Sequence, residues 1–179
     1  MMERREAGRA ALPAGSLRVV EYRDELARAF HDINLEWISS MFRVEETDRE
    51  VLENPRLHII DRGGVILFVE AEGPGIVGTC ALQKTGTRSF ELTKMGVRQS
   101  ARGLKAGEFL LAAVIARARE LRADPLYLLT HRSCEAAIHL YEKLGFKHDA
   151  EIMARYGARY ERCNVAMRYR GEPAERNSG

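Results

Sequence analysis

The stretch KMGVRQSARGLKAGEFLL, residues 94–111, reads as a passage from a strand into a helix, and the rest of the fold arranges itself around it. Gly103 and Gly107 bracket the helix start. The first turn of a helix leaves backbone N–H groups without intrahelical partners, and here no bulky side chain need stand in front of them. Backed by the positive end of the helix dipole, such amides form a cradle for an anion. Arg98, Arg102 and Lys105 add three cations to the same segment, which suits a diphosphate better than a single carboxylate. Two glycines ahead of a helix also serve as an ordinary turn and cap. The segment carries neither the Gly-Lys-Ser/Thr of a Walker loop nor the dinucleotide GxGxxG.

Downstream, Leu110, Leu111, Val114, Ile115, Ala118 and Leu121 recur on one face of a helix predicted over Gly107–Arg122, with Arg117, Arg119 and Arg122 suited to its negative end. DPLYLLT (124–130) reads as a buried strand, so strand, helix and strand form a right-handed crossover with the two strands parallel. A further helix over Cys134–Leu144 ends at Gly145 with Phe146 behind it, a glycine C-cap with its hydrophobic contact. YERCNVAMRY (160–169) alternates as a closing strand with Cys163, Val165, Met167 and Tyr169 on one face.

Upstream, residues 63–97 supply three β-rich segments separated by Gly-Pro-Gly and TGTRS, naturally paired as antiparallel hairpins. Before them, Thr47 and Glu50 form the T-x-x-E of a capping box for a short helix that Pro55 ends. Leu26, Phe30, Ile33, Trp37, Ile38 and Met41 mark an amphipathic helix over Asp24–Phe42 with Asp24 as its N-cap, and LRVVEY (17–22) precedes it as a first strand. The expected order is β, α, α, three β, α, β, α, two β: an α/β fold with a mixed sheet flanked by helices. Three consecutive strands before the crossover exclude a symmetric doubly wound fold.

Two signatures together carry a family resemblance over nearly all of residues 17–170. Arg102-Gly103-Leu104-Lys105-Ala106-Gly107 resembles the pyrophosphate loop Q/R-x-x-G-x-G/A of the GNAT superfamily of acyl-CoA-dependent N-acetyltransferases. Ala137, Tyr141, Gly145 and Phe146 in AAIHLYEKLGF match its second signature, on the expected helix. The resemblance implies a mostly antiparallel mixed sheet and a CoA diphosphate resting on the amides of that loop. The pantetheine arm would lie along Met95, Gly96 and Val97, and Gly96 there either permits a bulge or serves as a packing concession. It implies direct attack of an amine on the thioester of acetyl-CoA, with Glu91 as base, Tyr141 as acid toward the departing sulfur, and the Val97 amide polarising the carbonyl. By period two, Glu91 is expected to share a strand face with Thr93, Met95 and Val97. The chain departs from the pattern at Lys105, where the loop's middle glycine is expected, and at His131, where relatives often carry Asn. Lys105 is tolerable with a helical backbone and an outward side chain, whereas a positive φ there would damage the loop.

Other chemistries are less well supported. Cys134 and His131 lie three apart but lack an orienting carboxylate, and His139 falls on another side of the helix from Cys134, so neither a thiol nucleophile nor a metal site is expected. The resemblance implies acceptor entry between Ser39–Asp48 and Ala154–Glu161, where Glu45, Glu46 and Asp48 would attract a cationic amine and Arg155 and Arg159 a carboxylate. The resulting expectation is an enzyme that acetylates a primary amine of a small molecule or peptide. The alternative is a non-catalytic acyl-CoA-binding module.

The 179 residues suit a single domain, read here as residues 17–170 with loose tails at 1–16 and 171–179. A composition of 45% hydrophobic and 30% charged residues is that of a globular chain, and a net charge of +2 does not advertise a nucleic-acid partner. The longest apolar run, Phe109–Ala116, is far short of the ~20 residues that cross a bilayer, so no membrane association is expected. The three cysteines, without a CxxC pair or a preceding signal segment, suggest a reducing cytoplasm. Edge strands leave a homodimer open.

Overall fold

The computed structural model describes residues 16–171. Apart from Ser16 and Gly171, both expected tails lie outside the described residues. The elements run β1 (Leu17–Glu21), α1 (Ala27–Met41), α2 (Glu46–Glu53), β2 (Val65–Ala71), β3 (Gly75–Lys84), β4 (Phe90–Val97), α3 (Ala106–Glu120), β5 (Leu126–Thr130), α4 (Glu135–Lys143), β6 (Phe146–His148), α5 (Ala150–Tyr156) and β7 (Val165–Tyr169). The seven strands form one sheet in the order β1-β2-β3-β4-β5-β7-β6. Every pairing is antiparallel except β4 with β5, the crossover predicted from the sequence.

Helices cover both faces. On one, Leu110, Leu111, Val114 and Ala118 of α3 pack with Tyr141 of α4 against Leu67, Cys80, Leu82, Leu92 and Leu128. On the other, Phe30 and Ile38 of α1 and Val51 and Leu52 of α2 bury against Ile66, Phe68 and Ala81, while Ile152 of α5 covers Tyr127 and Ala166. Each fully buried large aliphatic or aromatic side chain contributes about 1.5–3 kcal/mol.

Several boundaries differ from expectation. The capping residue of α2 is Glu45, whose N–H donates to Asp48 Oδ2 at 2.9 Å, because the chain turns helical at Glu46, one residue ahead of Thr47. Pro55 does not simply end that helix but opens a π-helical turn, Arg56–Ile60. Asp24 lies inside a 3-10 turn that precedes α1, and its carboxylate accepts from Arg56 Nε at 2.6 Å instead of capping. The closing strand begins only at Val165, and the seven-residue helix α5, absent from the sequence reading, intervenes between β6 and β7. Asp149 caps it, its Oδ1 accepting from Ile152 N–H at 3.0 Å.

Two breaks in the sheet position the site. Strands β4 and β5 pair only at Phe90 with Leu126 and Glu91 with Tyr127, then part. One strand over, the β3–β4 register shifts between Thr79 and Ala81, where Lys94 adopts φ +52°. This is a β-bulge that inserts one residue into β4.

Candidate active site

The bulge reassigns the faces of β4. Leu92, Met95 and Val97 all pack on the α3 side, whereas Glu91 pairs with Arg159 on the other. Glu91 therefore does not share a face with Met95 and Val97. The extra residue at Lys94 reverses the alternation that period-two reading assumed.

Where β4 and β5 diverge they leave a cleft of about 50 Å³. Thr93, Lys94 and Met95 line one wall and Leu129 and Thr130 the other. Tyr141 of α4 reaches it from the α3 side, and Trp37 of α1 and Tyr160 from the α2 side. Backbone groups of both strands beyond the last shared pair lack the ladder partners they would have in a regular sheet.

At the end of β4 lies the glycine loop. Gly103 has φ +93° with open space around a would-be Cβ, and Lys105 caps α3 with φ +56° and ψ +22°. Lys105 is thus neither helical nor outside the glycine region. It takes the left-handed conformation a glycine adopts freely, and contrary to expectation the positive φ does not damage the loop: the N–H groups of residues 105–108 remain without backbone acceptors, and the turn is made at a strain of about 1–2 kcal/mol. Among the described residues, the N–H groups of Gly103, Lys105, Ala106, Gly107 and Glu108 find no backbone acceptor, the first return bond running from Phe109 N–H to Lys105 O at 3.2 Å. A Cβ at Gly107 would point into the space beside Val97 and Met95, 3.7 and 3.9 Å from their terminal methyls. Five free amides at a helix N-terminus, running toward a glycine that opens onto the end of β4, fit a diphosphate with a long arm attached.

Arg102 and Lys105 are exposed at this loop. Arg98 is not part of the cradle, since its Nε donates to Ile76 O at 3.1 Å. Helix α1 anchors the loop's start, with Glu36 Oε1 accepting from Gln99 N–H at 2.9 Å.

Tyr141 is 7% exposed and meets Phe146 edge-on at 5.9 Å. Burial pushes its phenol above the ordinary value, with Cys80 and Cys134 adding to the shift, so it stays protonated at neutral pH and can donate. Glu91, 1% exposed, lies at the last β4–β5 pair and is closed off from the cleft. Its Oε2 has no hydrogen bond among the described residues and stands 3.5 Å from Arg159 Nη1. Burial raises its pKa despite the opposing charges of Arg159 and Lys94.

The acidic group expected to attract a cationic acceptor is largely spent inside the protein. Asp48 is fully buried and accepts from Lys94 Nζ at 2.8 Å and from Arg162 at 2.6 and 2.8 Å. Burial alone would raise its pKa, but Arg162 and Lys94 outweigh that and hold it well below the usual carboxylate range. Glu45 accepts from Arg162 at 2.8 Å and from Glu161 N–H at 2.9 Å, which leaves only Glu46 exposed. On the opposite side, Arg155 is exposed while Arg159 donates to Gln83 Oε1 at 2.8 Å.

His131 Nδ1 accepts from Ser133 N–H at 3.0 Å, and Cys134 serves as the N-cap of α4. Among the described residues no group of three or more His, Cys, Asp or Glu side chains is placed to hold a metal. Among the described residues no helix is long and apolar enough to cross a membrane.

Sequence reasoning missed Lys94, Trp37, Tyr160 and Arg162. Two consecutive polar residues, Thr93 and Lys94, in a strand that otherwise alternates were the available signal for Lys94. Nothing local marks Arg162, whose partners lie more than a hundred residues away.

The sequence model of the acetyltransferase (GNAT) family matches residues 26–146. No curated protein matches the chain. Among solved structures, a GNAT-family acetyltransferase from Staphylococcus aureus Mu50 superposes with a TM-score of 0.76 at 23% identity, over 86% of this chain and 98% of that one. An acetyltransferase from Bacillus subtilis in complex with CoA gives 0.61 at 23% identity, over 86% and 98%. The PaiA N-acetyltransferase from Thermoplasma acidophilum in complex with coenzyme A gives 0.63 at 16% identity, over 86% and 98%. These likenesses establish the fold, and the family match extends over the loop, both parted strands of the cleft and Tyr141. The chain belongs to the GNAT acetyltransferase family, whose general reaction is acetyl-CoA-dependent acetyl transfer.

Proposed function

We propose that residues 17–170 form one cytoplasmic acyltransferase domain that moves an acetyl group from acetyl-CoA to a primary amine of a small molecule or peptide. The observation that carries this reading is the continuity of two features. The free amides of Gly103, Lys105, Ala106 and Gly107 adjoin Met95, whose Cε stands 3.9 Å from a would-be Cβ at Gly107, and Met95 and a protonated Tyr141 both line the cleft between the parted strands.

In this reading Gly103, Lys105, Ala106 and Gly107 hold the diphosphate through main-chain N–H groups, with Arg102 and Lys105 adding charge, whereas the Arg102 and Leu104 N–H groups, expected to share in it, are already donated to Gln99 O and Ala101 O at 3.3 Å. Met95, Gly96 and Val97 pair with the amide groups of the pantetheine arm as a strand would, and the Val97 N–H polarises the thioester carbonyl. The neutral amine attacks that carbon, an N–C bond forms and the C–S bond breaks. Tyr141 gives its proton to the sulfur. Glu91, closed off in the free chain, takes the amine's proton through an intervening water, and its raised pKa makes it a stronger base than an ordinary carboxylate.

CoA release, followed with a thiol reagent across an amine panel, tests the assignment. The wild type turns over with at least one amine, and Tyr141→Phe and Glu91→Gln turn over far more slowly while still binding CoA. CoA binding without turnover on any amine would favour a non-catalytic acyl-CoA-binding module. Absence of CoA binding would overturn the placement altogether.

A further inference from the structure

We propose that Lys94 and Asp48 act together as a positioning pair: the buried bridge from α2 locks the left-handed bulge of β4 and so aims the strand's free peptide groups at the acyl arm. This rests on the donor-site reading above and names residues that the reading does not use.

Lys94 is a strained residue with an unusual environment. At φ +52° it occupies a region that disfavours any side chain, in mid-strand, where neither a turn nor a helix end requires it. Such a conformation persists only where the surroundings over-determine it. Here the side chain is 2% exposed and ends on the fully buried Asp48 at 2.8 Å, with Tyr160 Oη at 3.3 Å and the Tyr160 ring beneath it at 4.6 Å.

Asp48 is itself immobilised by Arg162 and by the Glu45 N–H at the start of α2. The chain therefore ties two segments, α2 and residues 160–162, to one residue of β4. Without this tie, the strain at Lys94 is unsupported and pulls β4 toward regular pairing opposite Cys80. Completing that change would exchange the faces of Gly96 and its neighbours and crowd Trp37, whose Cδ1 would lie only 2.5 Å from a Cβ at position 96, so an untied strand is left between two poor conformations and its peptide groups lose their fixed aim. The cleft and the peptide orientation both depend on the bulge. The pair also links the acceptor-side helix α2 directly to the strand that receives the donor.

The test compares Lys94→Met, Lys94→Gly and wild type by calorimetric titration with two probes, acetyl-CoA and 3′-phospho-ADP, with a thermal melt for each protein. 3′-Phospho-ADP carries the twin phosphates but no pantetheine arm, so it reports on the loop alone. Lys94→Met keeps the bulk and loses the tie. It is expected to weaken acetyl-CoA about tenfold, the factor that corresponds to left-handed strain left unsupported, and to leave 3′-phospho-ADP unchanged. Lys94→Gly accepts the left-handed turn without strain and is expected to recover most of that loss.

Equal losses in the Met and Gly variants, or a loss shared by both probes, would overturn the positioning role. If Lys94→Met does not fold, Lys94→Gly with Asp48→Asn decides in its place: affinity for acetyl-CoA retained relative to 3′-phospho-ADP supports the proposal, and selective loss overturns it. Wild type that binds neither probe would instead refute the donor-site reading.

Discussion

Gly107→Ala and Gly107→Glu are expected to part company, the first stabilising the free protein and keeping its hold on CoA, the second weakening that hold. Gly107 lies in the first turn of α3 without a positive φ, and its would-be Cβ meets Leu140 Cδ2 at 3.7 Å, Val97 Cγ2 at 3.7 Å and Met95 Cε at 3.9 Å, all ordinary contacts. The free fold therefore has no need of glycine there. Alanine removes unfolded-chain entropy and improves helix propensity, a gain of about 0.5–1 kcal/mol. For a chain of this length that raises Tm by about 1–4 °C. The loop pattern that residues 102–107 resemble itself admits alanine at this place, and alanine keeps the N–H that would meet the diphosphate. Glutamate instead sets bulk and a like charge beside that diphosphate. Losing one hydrogen bond to a charged group costs about 1.5–3 kcal/mol, or between about ten- and a hundredfold in Kd. Differential scanning fluorimetry with and without CoA reads both terms, since saturating ligand at 100 Kd adds about 2.7 kcal/mol to apparent stability. For Gly107→Ala the apo Tm should rise with the CoA-induced increment unchanged, and for Gly107→Glu that increment should shrink. Gly103→Ala gives the contrast: at φ +93° it introduces strain and lowers the apo Tm. A folded Gly107→Glu protein that keeps its CoA affinity would refute the cradle.

Lys105→Gly relieves the left-handed strain at the cap and is expected to raise the apo Tm slightly, while Lys105→Ala, which keeps φ +56° without the charge, lowers CoA affinity and does not gain stability. Tyr141→Phe retains the ring against Phe146 and is expected to cut kcat by about 10²-fold or more with the melting curve nearly unchanged. In wild type kcat/KM should rise with pH along a limb above the ordinary carboxylate range, because Glu91 must be deprotonated to act as base. Glu91→Gln abolishes that limb. Glu91 binds protons more tightly folded than unfolded, so the stability it contributes is complete below the unfolded pKa of about 4.3 and fades as pH rises through the folded one. Asp48, held low, contributes in the opposite direction: its share is present above about pH 3.9 and is lost on acidification, which urea titrations of Asp48→Asn across that range would expose.

What the chain discloses before folding is what local periodicity encodes. The face of α3, the crossover from β4 to β5 and the glycine end of α4 all follow from spacing within a few turns, and each stands close to where spacing put it. The loop glycines were legible for the same reason. Helix α5 was not, because seven residues carry too few apolar positions to show a period, and Asp149 as its cap was the remaining clue. Gly96 offered a bulge as one of two readings, but the extra residue falls at Lys94 and Met95 just before it, and because alternation presumes an unbroken strand the error passed straight to the predicted face of Glu91. The acidic residues at 45–48 looked available because their partners, Lys94 and Arg162, come from far along the chain.

Both departures from a regular sheet fall at the same place, and that coincidence has a physical cause. A sheet that pairs fully has no main-chain groups left to offer a substrate, so a strand can bind an extended arm only where its neighbour withdraws. Withdrawal exposes unsatisfied amides and carbonyls and is unfavourable by itself, which is why strands seldom part within a core. In this chain the cost is met by side chains from outside the sheet: Tyr141 and Met95 fill the α3 side of the gap, and the Lys94–Asp48–Arg162 cluster braces the other. The buried charges at the gap are therefore not free to set acceptor specificity. Their hydrogen bonds are already committed, and an acceptor that displaced Lys94 or Arg162 from Asp48 would strand a buried carboxylate at a cost of several kcal/mol. In the proposed reading, discrimination between acceptors falls instead to the Thr93 and Thr130 side chains along the two parted strands, while the Trp37 indole, whose N–H is held by Asn34 Oδ1 at 2.9 Å, contributes shape alone.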